Sequence, residues 1–249
     1  MSDLKGKAAL VTGGGSGIGL ATVRMLAERG ASVAVNYLPS DERAADAIEQ
    51  LRKEGHWLVH APGDVSSFSE ARRMVVEACA ELGRLDMLVN NAARGTAGPV
   101  PFEDLDAMDE EIWQGILATN LLGPFSCVRA AAKELRRTRG AVVNLASVAG
   151  FGIRGSSIAY AASKAALVNL TGSLARALAP EVRVNAVAPG LVDTPWTASW
   201  PEERKRQTVK QSLLGRMAQP TDIAEVVVFL LTGTGFVNGE TIIVDGGRA

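Results

Sequence analysis

The sequence predicts one doubly wound α/β domain, a parallel seven-stranded sheet with helices on both faces, and three observations carry that prediction. Short apolar or β-branched runs alternate with helical patterns along the whole chain. The runs lack polar alternates, so the strands are expected to be covered on both faces, as parallel strands are. A glycine-rich stretch sits between the first run and the first helical pattern, where a strand hands over to a helix N-terminus.

Taken in order, strands are expected at 8–11, 32–36, 57–61, 87–90, 141–145, 183–187 and 241–244, each a short run bounded by turn residues. Helices are expected at 18–28, 41–54, 67–82, 109–137, 158–178, 202–212 and 221–231. Ser40, Ser67 and Thr221 are the expected N-caps, because each offers a side-chain oxygen to the free N–H groups of a first turn. Gly30, Gly55, Gly83 and Gly140 follow helices, where left-handed C-caps usually fall on glycine. With no internal repeat and no linker, residues 1–249 read as a single dinucleotide-binding and catalytic domain.

Composition narrows the function classes. Hydrophobic residues make up 47% and charged residues 21% of the 249, as in soluble globular proteins. The formal net charge is -1, and the clusters Arg136-Arg137-Thr138-Arg139 and Arg204-Lys205-Arg206 read as solvated helix faces, so no nucleic-acid partner is expected. The first apolar run is too short for a signal peptide, and no run approaches the roughly 18 apolar residues of a membrane span, so the expectation is a cytoplasmic protein with no membrane partner. Cys79 and Cys127 lack metal-ligand spacing and are expected as buried reduced thiols. His56 and His60, the only histidines, support neither a metal site nor a histidine-dependent triad.

The chemistry concentrates between Ser147 and Lys164. If the segment after Ser157 is helical, Tyr160 and Lys164 sit four apart and project from one face. A tyrosine acting as base at neutral pH needs its pKa lowered by about three units, or about 4 kcal/mol. A unit charge about 4 Å away supplies roughly that much at an effective dielectric near 20, so the lysine alone is expected to suffice. Ser147, at the end of a strand, offers a hydroxyl to a substrate oxygen beside that phenol. The pattern points to proton transfer at a carbonyl or alcohol oxygen.

After the first strand comes Thr12-Gly13-Gly14-Gly15-Ser16-Gly17-Ile18-Gly19, the strand–turn–helix setting in which backbone N–H groups receive a pyrophosphate in Rossmann-type domains. No Lys-Ser/Thr pair follows, which excludes a P-loop. With this turn, the Asp64-Val65 pair, Asn90-Asn91-Ala92 and the set Asn120, Ser147, Tyr160 and Lys164, the chain resembles the short-chain dehydrogenase/reductase family over essentially its whole length.

The resemblance implies hydride transfer between NAD(P)(H) and a carbonyl or secondary alcohol. It makes Tyr160 the acid/base, Lys164 the residue that lowers its pKa and holds the nicotinamide ribose, Ser147 the residue that orients the substrate oxygen, and Asn120 the residue that positions a water. Gly13, Gly15, Ser16, Gly17, Ile18 and Gly19 would cradle the cofactor, with Asn36, Tyr37 and Ser40 at the adenosine ribose and Asp64 and Val65 at the adenine. Asn91, Ala92, Ala93, Pro189, Gly190, Val192 and Thr194 would complete the nicotinamide side. Ala93 stands where the family usually has glycine, so a slight repositioning of cofactor is expected.

Residues 191–214 would form a substrate lid, with Trp196 and Trp200 suited to an apolar ring or to packing the lid onto the body. By family position Arg94 and Arg154 lie near the cleft mouth, able to grip a carboxylate, although solvent-facing arginines are the commoner case. After the second strand the acid that would specify NAD is missing, since Asp41 lies beyond Pro39 and is better placed to support the next helix. Ser16 replaces the basic residue of many NADP-dependent relatives, leaving Ser40 and Arg43 as candidates for a 2′-phosphate and a lean toward NADP over NAD. The resemblance further implies a homotetramer. Competing readings are a non-catalytic nucleotide sensor or scaffold on the same fold, which would need the glycine turn and not the tetrad, and a sugar-nucleotide epimerase or dehydratase, which the glycine spacing disfavours.

Overall fold

The computed structural model describes residues 3–248. Strand and helix alternate as β1 (Ala8–Val11), α1 (Gly17–Glu28), β2 (Ser32–Tyr37), α2 (Glu42–Lys53), β3 (Leu58–Pro62), α3 (Phe68–Leu82), β4 (Met87–Asn90), α4 (Glu110–Leu117), α5 (Gly123–Thr138), β5 (Ala141–Leu145), α6 (Ile158–Leu178), β6 (Arg183–Pro189), α7 (Glu202–Gln211), α8 (Pro220–Thr232) and β7 (Thr241–Val244). The seven strands form one parallel sheet in the order β3-β2-β1-β4-β5-β6-β7, which is the predicted fold class. The strand order reverses between β1 and β4, and such a switch point opens a crevice beyond the carboxyl ends of the strands.

Side-chain alternation along each strand feeds a separate core on each face. In β1, Ala9 and Val11 pack with Val23, Leu26, Ile48 and Val227 on the side of α1, α2 and α8. Leu10 faces the opposite side, among Met74, Ala78, Cys127 and Leu174 from α3, α5 and α6. Beneath the crevice, the buried Asp86 carboxylate ties the start of β4 to β1, accepting from the Ala8 N–H at 3.0 Å, from Lys7 at 3.1 Å and from Arg84 at 2.7 Å. Burial raises its pKa, but hydrogen bonds from Arg84, Ala8 and Lys7 outweigh that and hold it below the ordinary carboxylate range.

The structure corrects several local expectations. β7 lies at the sheet edge and leaves Ile242 and Ile243 38% and 41% exposed, so it is not covered on both faces. Asp41, not Ser40, caps α2, its carboxylate accepting from the Ala44 N–H at 3.1 Å. α8 opens with a Gln219–Asp222 capping box and Pro220 in its first turn, so Thr221 lies inside the helix; proline's fixed φ and missing N–H suit a first turn. Ser67 caps α3 as expected. Gly30, Gly55 and Gly83 take positive φ, whereas after α5 the left-handed residue is Arg139 at φ 54°. Gly140 is needed for a different reason: a Cβ there would lie 2.4 Å from the Asp86 carbonyl oxygen.

The helix expected over 109–137 is observed as α4 and α5 joined by a π-helical turn, Ala118–Leu122, with Asn120 inside it. Pro124, two residues beyond the turn, has no N–H to return to the Asn120 carbonyl four residues back, so a regular α-helical ladder cannot run through this point. Both cysteines are free, and burial pushes the Cys79 and Cys127 thiols up to about 11 and about 12, which leaves them unreactive. Among the described residues no helix is long and apolar enough to cross a membrane.

Candidate active site

A cavity of about 1000 Å³ fills the crevice at the switch point, running from Tyr37 and Asp41 at one end to Trp200 and Arg248 at the other. Its floor is the turn between β1 and α1, with Gly13, Gly15, Ser16, Gly17 and Ile18 in the lining. Only glycine lets this turn close. A Cβ at Gly15 would sit 2.2 Å from that of Ala44, and one at Gly19 would sit 2.2 Å from the Gly13 carbonyl oxygen. Gly19 therefore shapes the turn without lining the cavity.

Braces from neighbouring strands hold the turn. Asn91 donates its amide N–H groups to the carbonyls of Thr12 and Gly13, both at 2.9 Å, while the Thr12 hydroxyl accepts from the N–H groups of Asn91 and Ala92. Asn36, 2% exposed, accepts from the Gly13 N–H and donates to the carbonyls of Ala61 and Gly63. A helix N-terminus behind free backbone N–H groups at the bottom of a long groove is the chemistry that receives a pyrophosphate, so the residues present fit a dinucleotide. Asp64, Val65, Ala92, Ala93, Pro189, Gly190, Val192 and Thr194 line the same cavity, as expected.

At the other end, the sequence-predicted catalytic side chains converge. Ser147 lies two residues beyond β5, accepts from the Ala149 N–H at 3.1 Å and sits near enough to the Tyr160 phenol to draw its pKa down. Ser157 caps α6 by accepting from the Tyr160 N–H, which sets the start of the helix that carries Tyr160 and Lys164. Gly150 allows the Ser147 loop to lie on that helix: a Cβ there would come within 2.9 Å of the Lys164 backbone. The Lys164 ammonium, 2% exposed, lies 5.6 Å from the Tyr160 ring centroid and donates to the Leu145 carbonyl at 2.6 Å.

The expectation that Lys164 alone lowers the phenol's pKa is not met. Burial drives the lysine down to about 7 and the tyrosine up to about 12, with the Ser147 hydroxyl pulling the latter partly back. A full positive charge on Lys164 would have acted as expected; desolvation removes much of that charge at neutral pH.

Asn120 is fully buried in the π-turn and its amide is wholly engaged. It accepts from the Arg94 N–H at 2.7 Å and donates to the Arg94 carbonyl at 2.9 Å and to the Ser163 hydroxyl at 3.0 Å. Ser163 in turn donates to the Tyr160 carbonyl at 2.7 Å. Sequence reasoning missed Ser163, although its place one residue before Lys164 was the available signal. The side chain of Asn120 thus ties the loop after β4 to α6, and it has no N–H left for a water.

The end of the cavity expected to take the adenosine ribose is built differently from the expectation. Tyr37 lines it, and its hydroxyl lies 2.9 Å from His60 Nδ1, whose Nε2 lies 2.8 Å from Glu49. His60, expected only to flank a strand, braces this wall. Ser40 and Arg43 line a second, shallow depression outside the main cavity, Leu38 and Ala44 line the main cavity, and Asp41 borders both. A carboxylate therefore does stand at this end.

On the substrate side, Trp196 meets the Tyr160 ring edge-on at 5.9 Å and packs over Gly95. Arg94 folds over Gly115, and Arg154 pairs with Glu103 and stacks on Phe102. Trp200 lies beneath Arg204, whose guanidinium carbon is 4.6 Å from the ring centroid. Arg204, expected on a solvated face, lines the cavity instead.

The buried lysine has a thermodynamic signature. Its pKa is near 10.4 in an unfolded chain and about 7 in the folded one, so the unfolded state holds more protons between those values and folding stability rises with pH there. Replacing Lys164 by Met removes this contribution. Thermal melts of both proteins from pH 7 to 10 are expected to show the wild type gaining on Lys164→Met as pH rises; a constant gap would contradict the burial of a titrating ammonium.

A family model described as enoyl-(acyl carrier protein) reductase matches residues 13–249. The chain is 39% identical over 244 residues to the 3-oxoacyl-(acyl-carrier-protein) reductase FabG of Staphylococcus aureus, covering 97% of each chain. It is 38% identical over 245 residues to the cis-4-hydroxycyclohexanecarboxylate dehydrogenase of Sinomonas cyclohexanicum, covering 97% of this chain and 96% of the relative. A solved short chain dehydrogenase from Burkholderia cenocepacia in complex with NADP matches with a TM-score of 0.89 and 31% identity over 99% of both chains. These relatives are enzymes, which speaks against the sensor or scaffold reading. On the fold, the glycine turn at the switch point and these matches, the chain belongs to the short-chain dehydrogenase/reductase family and is an NAD(P)-dependent oxidoreductase.

Proposed function

We propose that the chain interconverts a carbonyl and a secondary alcohol at the junction of Ser147, Tyr160 and Lys164, with Tyr160 as general acid/base. The observation that carries this reading is the meeting of Ser147, Tyr160 and a buried lysine at one end of a groove whose floor is a glycine turn suited to a pyrophosphate. When bound, the nicotinamide dinucleotide supplies the hydride donor or acceptor. The Ser147 hydroxyl holds the substrate oxygen beside the phenol, and Tyr160 gives it a proton in reduction or takes one in oxidation. Burial keeps the phenol protonated in the free protein, which is the form that serves as the acid. Lys164, neutral in part while the phenol is protonated, favours phenolate as the proton leaves by holding its own proton beside the new charge.

Because the Asn120 amide is engaged with Arg94 and Ser163, a water in this relay would rest on its backbone carbonyl, which Pro124 leaves without the usual i+4 donor. Residues 191–214, carrying α7 and both cleft tryptophans, act in this reading as a lid that excludes water. The protein works in the cytoplasm on a small-molecule substrate. By family resemblance it is a homotetramer, which would cover the exposed Phe125 of α5 across one interface and Ile242 and Ile243 of β7 across another. Light scattering at the monomer mass would overturn this assembly.

Tyr160→Phe is expected to retain cofactor binding and lose turnover by a factor of roughly 10²–10⁴, the usual worth of a general acid; retention of most activity across pH would sink the assignment. For cofactor choice, NADP(H) and NAD(H) both remain within the reading, and Asp41 sets the margin by repelling a 2′-phosphate at the cavity wall. Asp41→Ser keeps a helix-capping oxygen while removing the charge. Titration by tryptophan fluorescence is expected to show NADPH affinity rising about tenfold relative to NADH in this variant, roughly 1.4 kcal/mol. An unchanged ratio would remove Asp41 from the specificity site.

A further inference from the structure

The lid end of the cavity gathers arginines for which the described residues supply few acids. Arg154, Arg204 and Arg248 line it together. Arg154 is already paired with Glu103. Arg204 donates to the backbone carbonyls of Gly155 at 2.7 Å and Arg154 at 3.4 Å, and Arg248 donates to the Gln211 amide oxygen at 2.8 Å. Among the described residues no carboxylate lies within ion-pair distance of either one; the one glutamate in the lining, Glu203, is paired with Arg206. The Arg204 guanidinium is pushed below its ordinary pKa, first by burial and then by the charges of Arg248 and Arg154, so the three arginines strain against one another.

A second observation marks the same corner. Ser156 is 2% exposed, lines the cavity, and its hydroxyl has no hydrogen-bond partner. That hydroxyl lies near Gly95 and Trp196, one residue along the chain from the glycine whose carbonyl receives Arg204, and a buried hydroxyl ordinarily finds a partner. The corner adjoins the reacting centre: a Cβ on Gly155 would lie 3.2 Å from Tyr160 Cδ1, and the carbonyl of that same glycine receives Arg204.

We infer that this corner binds an anionic group on the substrate, and specifically the carboxylate of a compact keto or hydroxy acid, through Arg204 and Arg248. The inference rests on the carbonyl–alcohol reading above and names the substrate class of that site. Arg204 can meet a carboxylate with its planar fork, and the Trp200 face beneath it fixes the fork's orientation. A phosphate on a carrier arm shares the anionic chemistry, but the corner lies within one residue of the Tyr160 ring, which favours a short substrate over a long arm.

The test compares matched pairs of probes. Reduction of 4-oxocyclohexanecarboxylate is measured against its neutral ethyl ester, and acetoacetyl-phosphopantetheine against acetoacetyl-pantetheine, in the wild type, Arg204→Gln and Arg248→Gln. Binding of cyclohexanecarboxylate against cyclohexanecarboxamide is followed separately by tryptophan fluorescence, which needs no turnover. Expected is a wild-type preference for the acid over the ester of tenfold or more in kcat/KM, with the same order in the binding pair. Both preferences should fall at least tenfold in Arg204→Gln and by a smaller factor in Arg248→Gln. Glutamine keeps an N–H for the Gly155 carbonyl, so if Arg204 were only a latch for the lid, both members of a pair would change alike and the ratio would hold; that result overturns the inference. An arginine-dependent preference confined to the phosphopantetheine pair also overturns it. Absence of turnover with every probe would count against the proposed reaction, while the binding pair would still decide the anion corner.

Discussion

Everything at the reacting end depends on a lysine ammonium held inside the protein. Lys164 is among the largest fully buried side chains in the chain, and the protein acceptor it reaches is the Leu145 carbonyl at the end of β5. Taking an ammonium out of water is costly unless partners compensate, and here the compensation is partial, so its pKa falls. Holding it there requires β5 to end where it does, α6 to begin at the Ser157 cap, and Gly150 to let the intervening loop rest on the helix backbone. The site is thus stressed in the free chain, and the same stress makes the lysine responsive to charge arriving at the phenol.

The opposite end of the groove is organised by the lack of side chains. The turn after β1 closes because Gly15 and Gly19 leave room for Ala44 and for the Gly13 carbonyl, and it keeps its shape because Asn36 and Asn91 reach it from β2 and from the end of β4. Buried amides suit this position because each offers donors and an acceptor at once, so a strand end can satisfy several turn atoms without introducing charge. Asn120 repeats the device on the substrate side, binding both backbone groups of Arg94 and linking them through Ser163 to α6. The π-turn is what places that amide inward, and Pro124 ensures the turn is not ironed into regular helix.

Charge is distributed unevenly although the chain is nearly neutral. A formal net charge of -1 conceals a corner where Arg204 and Arg248 face the cavity with no carboxylate among the described residues in ion-pair distance, while an acid, Asp41, stands at the far end. Several surface arginines are answered locally, as Arg206 is by Glu203, Arg73 by Glu77 and Arg216 by Asp222. Exposed pairs of this kind contribute little to stability.

The amino-acid sequence determined the fold class, the strands to within a residue or two and the glycine turn, local matters of period, turn chemistry and spacing that a chain carries in its own order. It also put forward Ser147, Tyr160 and Lys164 by their spacing, and Asn120 by family resemblance, as the candidate catalytic set. What tertiary structure decided was the environment of those groups. Whether Lys164 is charged depends on how many atoms surround it, and whether Asn120 is free depends on a loop 26 residues away. The same holds for Asp41 rather than Ser40 at the adenosine wall, for His60 behind Tyr37, and for Arg204 in the cavity instead of on a solvated face. Burial and desolvation are set by neighbours distant in sequence, and spacing along the chain holds no record of them.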